Sequence, residues 1–367
     1  MLWYLPDDYL LAIAIWLIVL GMGCAFLLRQ RRKARRRGAA TLFWVHAGLS
    51  AWLLLVVVTL IEVVFALFVD HSDAFNMTNI SKRWFARHVD GQLNSFGARD
   101  AAEFPRAMPD GKYRICFIGD SFTVGHGIPD MADRFSDLIA AELEKAAPGR
   151  YVVANLGSPG LETSMIEARI HGLLDEGYDV DMVVYVMCLN DIEGYDPRTN
   201  EMIARLQQLE PRNILFTRTY FLNWLYFRFI QFHSPDVRDY FGHLLESYRS
   251  AAWEGLRHKL DELHARCQSH DTKFRMVLFP FMQNLGPEYG YREVHTKLVE
   301  YCREAGIPVL DLEPAFREHA DENLTVNPFD AHPNERANRI AADAIHRELL
   351  GDLLQSTEET NPSDPLR

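Results

Sequence analysis

The chain has 367 residues, 48% hydrophobic and 24% charged, with a net charge of −12. At roughly 150 residues per domain, this length supports one good-sized domain plus additions, with ample chain to bury a core. The acidic balance excludes a nucleic-acid partner, because neutralising phosphates takes a basic stripe.

The apolar content is concentrated at the start. Tyr9 to Leu28 is free of charge for 20 residues, long enough to cross roughly 30 Å of hydrocarbon as a helix. Asp7 and Asp8 precede this run and no small-residue cleavage pattern follows it, which argues against a cleaved signal peptide. A second apolar run extends from Leu42 to Val69. Between the two lie Arg29, Arg31, Arg32, Lys33, Arg35, Arg36 and Arg37, with no acidic residue among them. Basic residues in a short loop stay in the cytoplasm. Residues 1–70 therefore read as a two-pass anchor of a bacterial inner membrane, with the lipid bilayer as partner. The remainder of the chain then lies on the periplasmic or extracellular side. Glu62 interrupts the second run, where a charge is costly and marks either function or the outer interface. Leu42 to Ile61 already suffices to span, which favours the interface.

Residues 71–111 are mixed and polar, with turn signals at Asp90-Gly91 and Pro109-Asp110-Gly111, and read as a juxtamembrane connector. From residue 112 to 352 short β-branched and aromatic runs alternate with helical patterns. The strand candidates are Tyr113 to Ile118, Tyr151 to Leu156, Met182 to Leu189, Phe274 to Phe279 and Ile307 to Leu310. The helical candidates are Arg134 to Lys145, Glu162 to Leu174, Gly242 to Gln268, Tyr291 to Glu304 and Asn334 to Leu350. Such alternation predicts a parallel sheet covered on both faces. Residues 191–240 break the rhythm as an insertion, and 353–367 form a polar tail. Within the insertion, Phe216 to Phe232 is densely aromatic. It can be an amphipathic lid, a membrane-facing helix or a core helix over the sheet edge, and the last is the favoured reading.

The five cysteines are Cys24, Cys116, Cys188, Cys267 and Cys302, without metal-ligand spacing. A structural zinc is not expected from this spacing. Cys267 and Cys302 lie in helical stretches and can pair in an oxidising compartment or remain free.

Ligands of parallel α/β sheets collect at the carboxyl ends of strands, near the point where strand order reverses. The first predicted strand ends in Ile118-Gly119-Asp120-Ser121, a glycine-flanked turn that exposes a serine hydroxyl. Serine needs a base within hydrogen-bond reach to act as a nucleophile. The second strand ends in Asn155-Leu156-Gly157-Ser158, where a glycine N–H can serve an oxyanion. The third ends in Cys188-Leu189-Asn190-Asp191, where Asn190 can aim its amide at the same oxyanion. Asp330-Ala331-His332-Pro333 precedes the last helix. The proline biases His332 to an extended conformation, so Asp330 and His332 share a face. Asp330 can then accept from one ring nitrogen and leave the other for the serine proton. His126, between two glycines, is a candidate substrate contact. Each motif alone is equally an ordinary turn or cap.

In combination and in order, Ser121, Gly157, Asn190 and the Asp330/His332 pair resemble the SGNH (GDSL-type) hydrolase superfamily over about residues 112–352. Asn94 to Asp100 also resembles the lead-in segment of its bacterial membrane-anchored members. The resemblance implies a flavodoxin-like three-layer α/β/α fold with a five-stranded parallel sheet, here preceded by two transmembrane helices. It implies Ser121 as nucleophile, His332 as base, Asp330 as its orienter, and an oxyanion hole of Gly157 N–H, Asn190 and Ser121 N–H. The activity implied is serine esterase or acyltransferase, without a metal or organic cofactor, acting on an acylated small molecule or glycan such as an O-acetylated envelope polysaccharide. A non-catalytic envelope binding protein is the alternative. Two positions depart from the family pattern: Phe329 stands where an aspartate is common, with Asp330 one residue closer to His332, and Cys188 replaces the usual glycine of the third block.

Overall fold

In a computed structural model the described residues are 5–36, 39–160 and 163–353. Arg37 of the basic cluster, Glu162 and the polar tail from residue 354 onward lie outside them. In chain order, the elements begin with α1 (Asp7–Ala34), α2 (Ala39–Phe68), α3 (Asn79–His88), β1 (Tyr113–Gly119), α4 (Ser121–Val124) and α5 (Phe135–Ala146). They continue with β2 (Tyr151–Asn155), α6 (Thr163–Asp175), β3 (Met182–Cys188), α7 (Pro197–Gln207), α8 (Ile214–Thr217), α9 (Phe221–His233) and α10 (Pro235–Ser247). The last are α11 (Ala252–Ser269), β4 (Lys273–Phe279), α12 (Arg292–Glu304), β5 (Val309–Asp311), α13 (Glu313–Arg317), β6 (Thr325–Asn327), β7 (Asp330–Pro333) and α14 (Glu335–Ala344).

These elements form two compact units, residues 1–87 with 209–233, and residues 88–208 with 234–367. The second holds a five-stranded parallel sheet in the order β2-β1-β3-β4-β5. Its strands read as unbroken apolar runs because helices cover both faces; all seven residues of β3 are buried. Helices α5, α11 and α12 pack on β2, β4 and β5 respectively. This is the flavodoxin-like three-layer α/β/α arrangement. The strand order reverses between β1 and β3, so the switch point lies at their carboxyl ends. One predicted element differs: the helix expected over 242–268 is two helices, α10 and α11. Ser250 explains the break, since its hydroxyl donates to the Ser247 carbonyl at 2.9 Å and draws it out of the helical ladder.

The first unit contains α1 and α2, both long and apolar enough to cross a membrane. Residues 209–233, from the middle of the expected insertion, belong to this unit. The expectation of a core helix over the sheet edge therefore fails. The aromatic periodicity of α9 is satisfied by α2, where Phe65 meets the rings of Phe221 at 5.1 Å and Trp224 at 5.4 Å. Glu62 is only 6% exposed and accepts from Tyr9 Oη (2.9 Å) and from the backbone N–H groups of Tyr220 (2.7 Å) and Phe221 (2.8 Å). Its charge thus meets the unpaired N–H groups at the start of α9, where a carboxylate is stabilised.

Candidate active site

Ser121 opens α4 directly after β1. Asp120 caps this short helix, its side chain accepting from the Phe122 N–H at 2.9 Å. The turn is tight on both sides. A Cβ on Gly119 would lie 2.2 Å from Thr123 Oγ1 and 2.4 Å from the Val186 carbonyl, so no larger residue fits before the Asp-Ser pair. Gly125 ends the turn in the left-handed region at φ +77°. Arg99, from the lead-in segment, is buried and braces the same turn, donating to the carbonyls of Gly125 (2.9 Å) and Ile128 (2.7 Å). Burial lowers the Arg99 guanidinium to about 10, which leaves it charged at neutral pH.

Asp330 and His332 lie on β7, which pairs antiparallel with β6. The two-residue spacing on this extended strand gives both side chains a common direction. His332 Nδ1 lies 2.5 Å from Asp330 Oδ1, which also accepts the His332 backbone N–H at 3.1 Å. With the carboxylate as acceptor, Nδ1 carries the proton. Nε2 then accepts from the Ser121 hydroxyl, 2.8 Å away. Residues 211 positions apart in sequence are thereby brought into one relay.

His126 completes the surroundings of Asp330. Its Nε2 lies 3.2 Å from Asp330 Oδ2, and its ring stacks on that of His332 at 3.8 Å and 11°. At 3% exposure it is buried, and this candidate substrate contact faces the carboxylate. The sequence signalled His126 only by its closeness to Ser121; nothing local marks its partner 204 positions later.

Burial by itself would raise the Asp330 carboxyl, yet the positive character of His332 and His126 holds it well below the usual carboxylate range. Burial lowers the His332 imidazole, aided by the charge of His126 and opposed by Asp330. The net result is a neutral ring facing the serine at neutral pH, the form a general base requires. Asp120 is also buried, and burial raises its carboxyl against the hydrogen bond from Phe122.

Asn190 follows β3 on a 3₁₀ turn. Its Nδ2 lies 3.5 Å from Asp120 Oδ2, a long contact, and its Oδ1 has no hydrogen-bond partner among the described residues. An amide held this loosely can turn to a developing oxyanion. Gly157 packs against the nucleophile turn: a Cβ there would lie 2.4 Å from Val124 N. Its N–H donates to Asn155 Oδ1 at 3.0 Å. An oxyanion would have to share or displace that acceptor, so the Gly157 N–H is less free for this duty than its sequence position implied. Cys188 is fully buried and part of the core. Cys267 and Cys302 are free buried thiols, so the expected option of a disulfide between them is not realised.

Ligand atoms of His126, Asp330 and His332 lie within 4.8 Å of one another, a spacing that also suits a metal ion. Each carboxylate oxygen already faces a ring nitrogen at bonding distance, so that space holds N–H protons. The hydrogen-bond relay accounts for the cluster.

Residues 117–340 match the GDSL-like lipase/acylhydrolase family. The chain belongs to this family. Its members are hydrolases that act on ester bonds, and the matched range of this GDSL chain includes Ser121, at the start of α4, and His332, on β7 before α14. No curated protein sequence matches it. Solved structures similar to it include a lipolytic G-D-S-L family protein from Veillonella parvula, 15% identical, with 65% of this chain and 98% of that one covered at a TM-score of 0.38. A psychrotrophic esterase from a Pseudoalteromonas species is 13% identical, with coverage of 66% and 99% and a TM-score of 0.39. A catalytic mutant of an acetylxylan esterase from Geobacillus stearothermophilus is 15% identical, with coverage of 66% and 96% and a TM-score of 0.42.

Proposed function

We propose that this GDSL-family protein cleaves its ester through an acyl-serine intermediate on Ser121. The observation that carries this reading is the 2.8 Å contact of Ser121 Oγ with His332 Nε2, backed by the 2.5 Å contact of Nδ1 with Asp330. His332 takes the serine proton as Oγ attacks the acyl carbon. Asp330 orients the ring and stabilises the imidazolium that results. Asn190 Nδ2 and the Ser121 N–H stabilise the oxyanion, joined by the Gly157 N–H when Asn155 releases it. The proton then passes from His332 to the leaving alcohol. Water, activated by the same ring, releases the acid and restores the serine.

The substrate class is an O-acyl group, foremost O-acetyl, on envelope glycans. Supporting it are α1 and α2, long and apolar enough to cross a membrane, and the basic residues between them, which by the positive-inside rule favour a domain on the outer face, where such glycans are met. A sugar hydroxyl in place of water would make the same residues an O-acyltransferase.

Labelling the detergent-solubilised full chain with a fluorophosphonate tests the nucleophile. Wild type takes the label at Ser121 and Ser121→Ala does not; a wild-type chain that stays unlabelled while a control serine esterase reacts would overturn the acyl-serine reading and favour a binding protein. Incubation with an activated acetyl ester, with and without glycan, separates the two outcomes for the acyl group. Free acetate in the absence of glycan marks hydrolysis, and acetylated glycan marks transfer.

A further inference from the structure

The segment 209–233 has no role in the chemistry of Ser121, and its outer surface is unusual. Leu225, Phe229 and Phe232 are 47%, 60% and 70% exposed. They stand at positions i, i+4 and i+7 of α9, which places them in one stripe along the helix. Ile214 and Leu215 on α8 add further exposed apolar surface. The opposite side of α9 is buried within its own unit, through Asn223 and Phe227.

The position of this stripe follows from the spanning helices. If Leu42 marks the cytoplasmic boundary, about 20 residues at 1.5 Å each cross the roughly 30 Å hydrocarbon layer and end beside Ile61. Glu62 then sits at the outer boundary. It accepts from the N–H groups of Tyr220 and Phe221, so the start of α9 is tied to that level. A second set of bonds ties the same segment to the chain just after α2. Asn79 Nδ2 donates to the carbonyls of Thr217 (3.0 Å) and Thr219 (2.7 Å), and its N–H donates to Asn223 Oδ1 at 2.7 Å. Tyr9, Tyr220, Trp224 and Tyr226 all gather in this unit, and rings with a polar tip are the residues that favour the membrane–water interface.

We propose that α8 and α9 form an interfacial element, with the stripe Leu225, Phe229 and Phe232 immersed in the outer headgroup–acyl boundary of the bilayer that α1 and α2 cross. The occupant of this surface is lipid. The proposal rests on the spanning assignment of α1 and α2 and adds a third membrane contact, parallel to the surface and fixed by Glu62. A second copy of the chain is the rival occupant. It is disfavoured because Glu62 and Asn79 tie the start of α9 to the level where α2 leaves the hydrocarbon.

The test uses the full chain in vesicles of phosphatidylcholine and phosphatidylglycerol, with a nitroxide on a single introduced cysteine. A Cys24→Ser background removes the one native thiol that is not buried among the described residues. Labels at Phe229→Cys and Phe232→Cys are compared with Leu54→Cys on α2 and Lys145→Cys on the second unit, both exposed in the structure. Collision with dissolved oxygen and with a water-soluble nickel chelate reports depth. The expected order is Leu54 deepest, Phe229 and Phe232 shallow but in lipid with an oxygen-to-nickel ratio several-fold above Lys145, and Lys145 in water. If Phe229 and Phe232 match Lys145 while Leu54 is deep, the interfacial helix is overturned and the spanning helices stand. If Leu54 also reports water, the spanning assignment falls and takes the proposal with it. Line broadening at Phe232 that vanishes on dilution with unlabelled chain would assign the stripe to a second copy and overturn the lipid assignment.

Discussion

Two buried carboxylates, one in each unit, solve the same problem with different partners. Glu62 accepts from a tyrosine hydroxyl and two backbone N–H groups. Asp330 accepts from one backbone N–H and faces two imidazoles. A buried carboxylate is tolerable only when hydrogen-bonded, and both satisfy that demand. The donors around Glu62 do not exchange protons near neutral pH, so that carboxylate only holds elements in place. His332 beside Asp330 can take up and return the Ser121 proton, so the same chemical group joins the proposed relay. Function in this molecule lies in the protonic character of the partners.

The comparison can be broken most sharply at Asp330. Asp330→Asn keeps the shape but presents an amide to His332 and favours the wrong tautomer; turnover of an acetyl ester should fall by about 10⁴-fold, by analogy with the serine protease triad. A loss below about tenfold would remove Asp330 from the relay. Asn190→Ala removes one oxyanion donor and should cost about a hundredfold or more in kcat with the fold intact, as read by circular dichroism. A near-normal rate would leave the oxyanion to backbone N–H groups alone.

A smaller effect should appear in the pH profile. His332 must be neutral to act, and its folded pKa is lowered by burial and by His126. Activity is lost as pH falls through that lowered value, so the acidic limb of kcat/KM should lie below the ordinary histidine value of about 6.5. His126→Phe keeps a ring over His332 but removes the imidazole that helps lower it, so the limb should move to higher pH. A limb that stays in place would make His126 a packing residue only. The smallest effect on turnover belongs to Glu62→Gln. It leaves backbone donors at the start of α9 poorly matched, at a cost of about 1–3 kcal/mol, which should lower the melting temperature of the full chain in detergent. Rates on a small soluble ester should stay at the wild-type level; a large drop would mean that the two carboxylates are coupled.

Much of the hydrolase unit was legible because its strands are short apolar runs, and a strand buried on both faces has no other way to read. The order of Ser121, Gly157, Asn190 and His332 at strand ends was legible for the same reason, since parallel topology delivers those ends to one edge. The partners of Glu62 and His126 were not. The bonds of Glu62 with Tyr220 and Phe221 and the contact of His126 with Asp330 join residues more than 150 positions apart, and no periodicity encodes which distant surface a side chain will meet. The aromatic spacing of α9 specified a helix with a buried side but was silent on whether a sheet or another helix would bury it. The occupied N–H of Gly157 was hidden too, because it depends on the rotamer of Asn155.

The unpaired cysteines carry a practical consequence. Cys116, Cys188, Cys267 and Cys302 are all buried thiols with no covalent link. With no cross-link among these thiols, the fold of this unit rests on packing alone. On the proposed outer side of a membrane, such a domain makes no demand on the cell's thiol-oxidising machinery. Its output should be indifferent to the redox poise of its surroundings as long as the core stays closed.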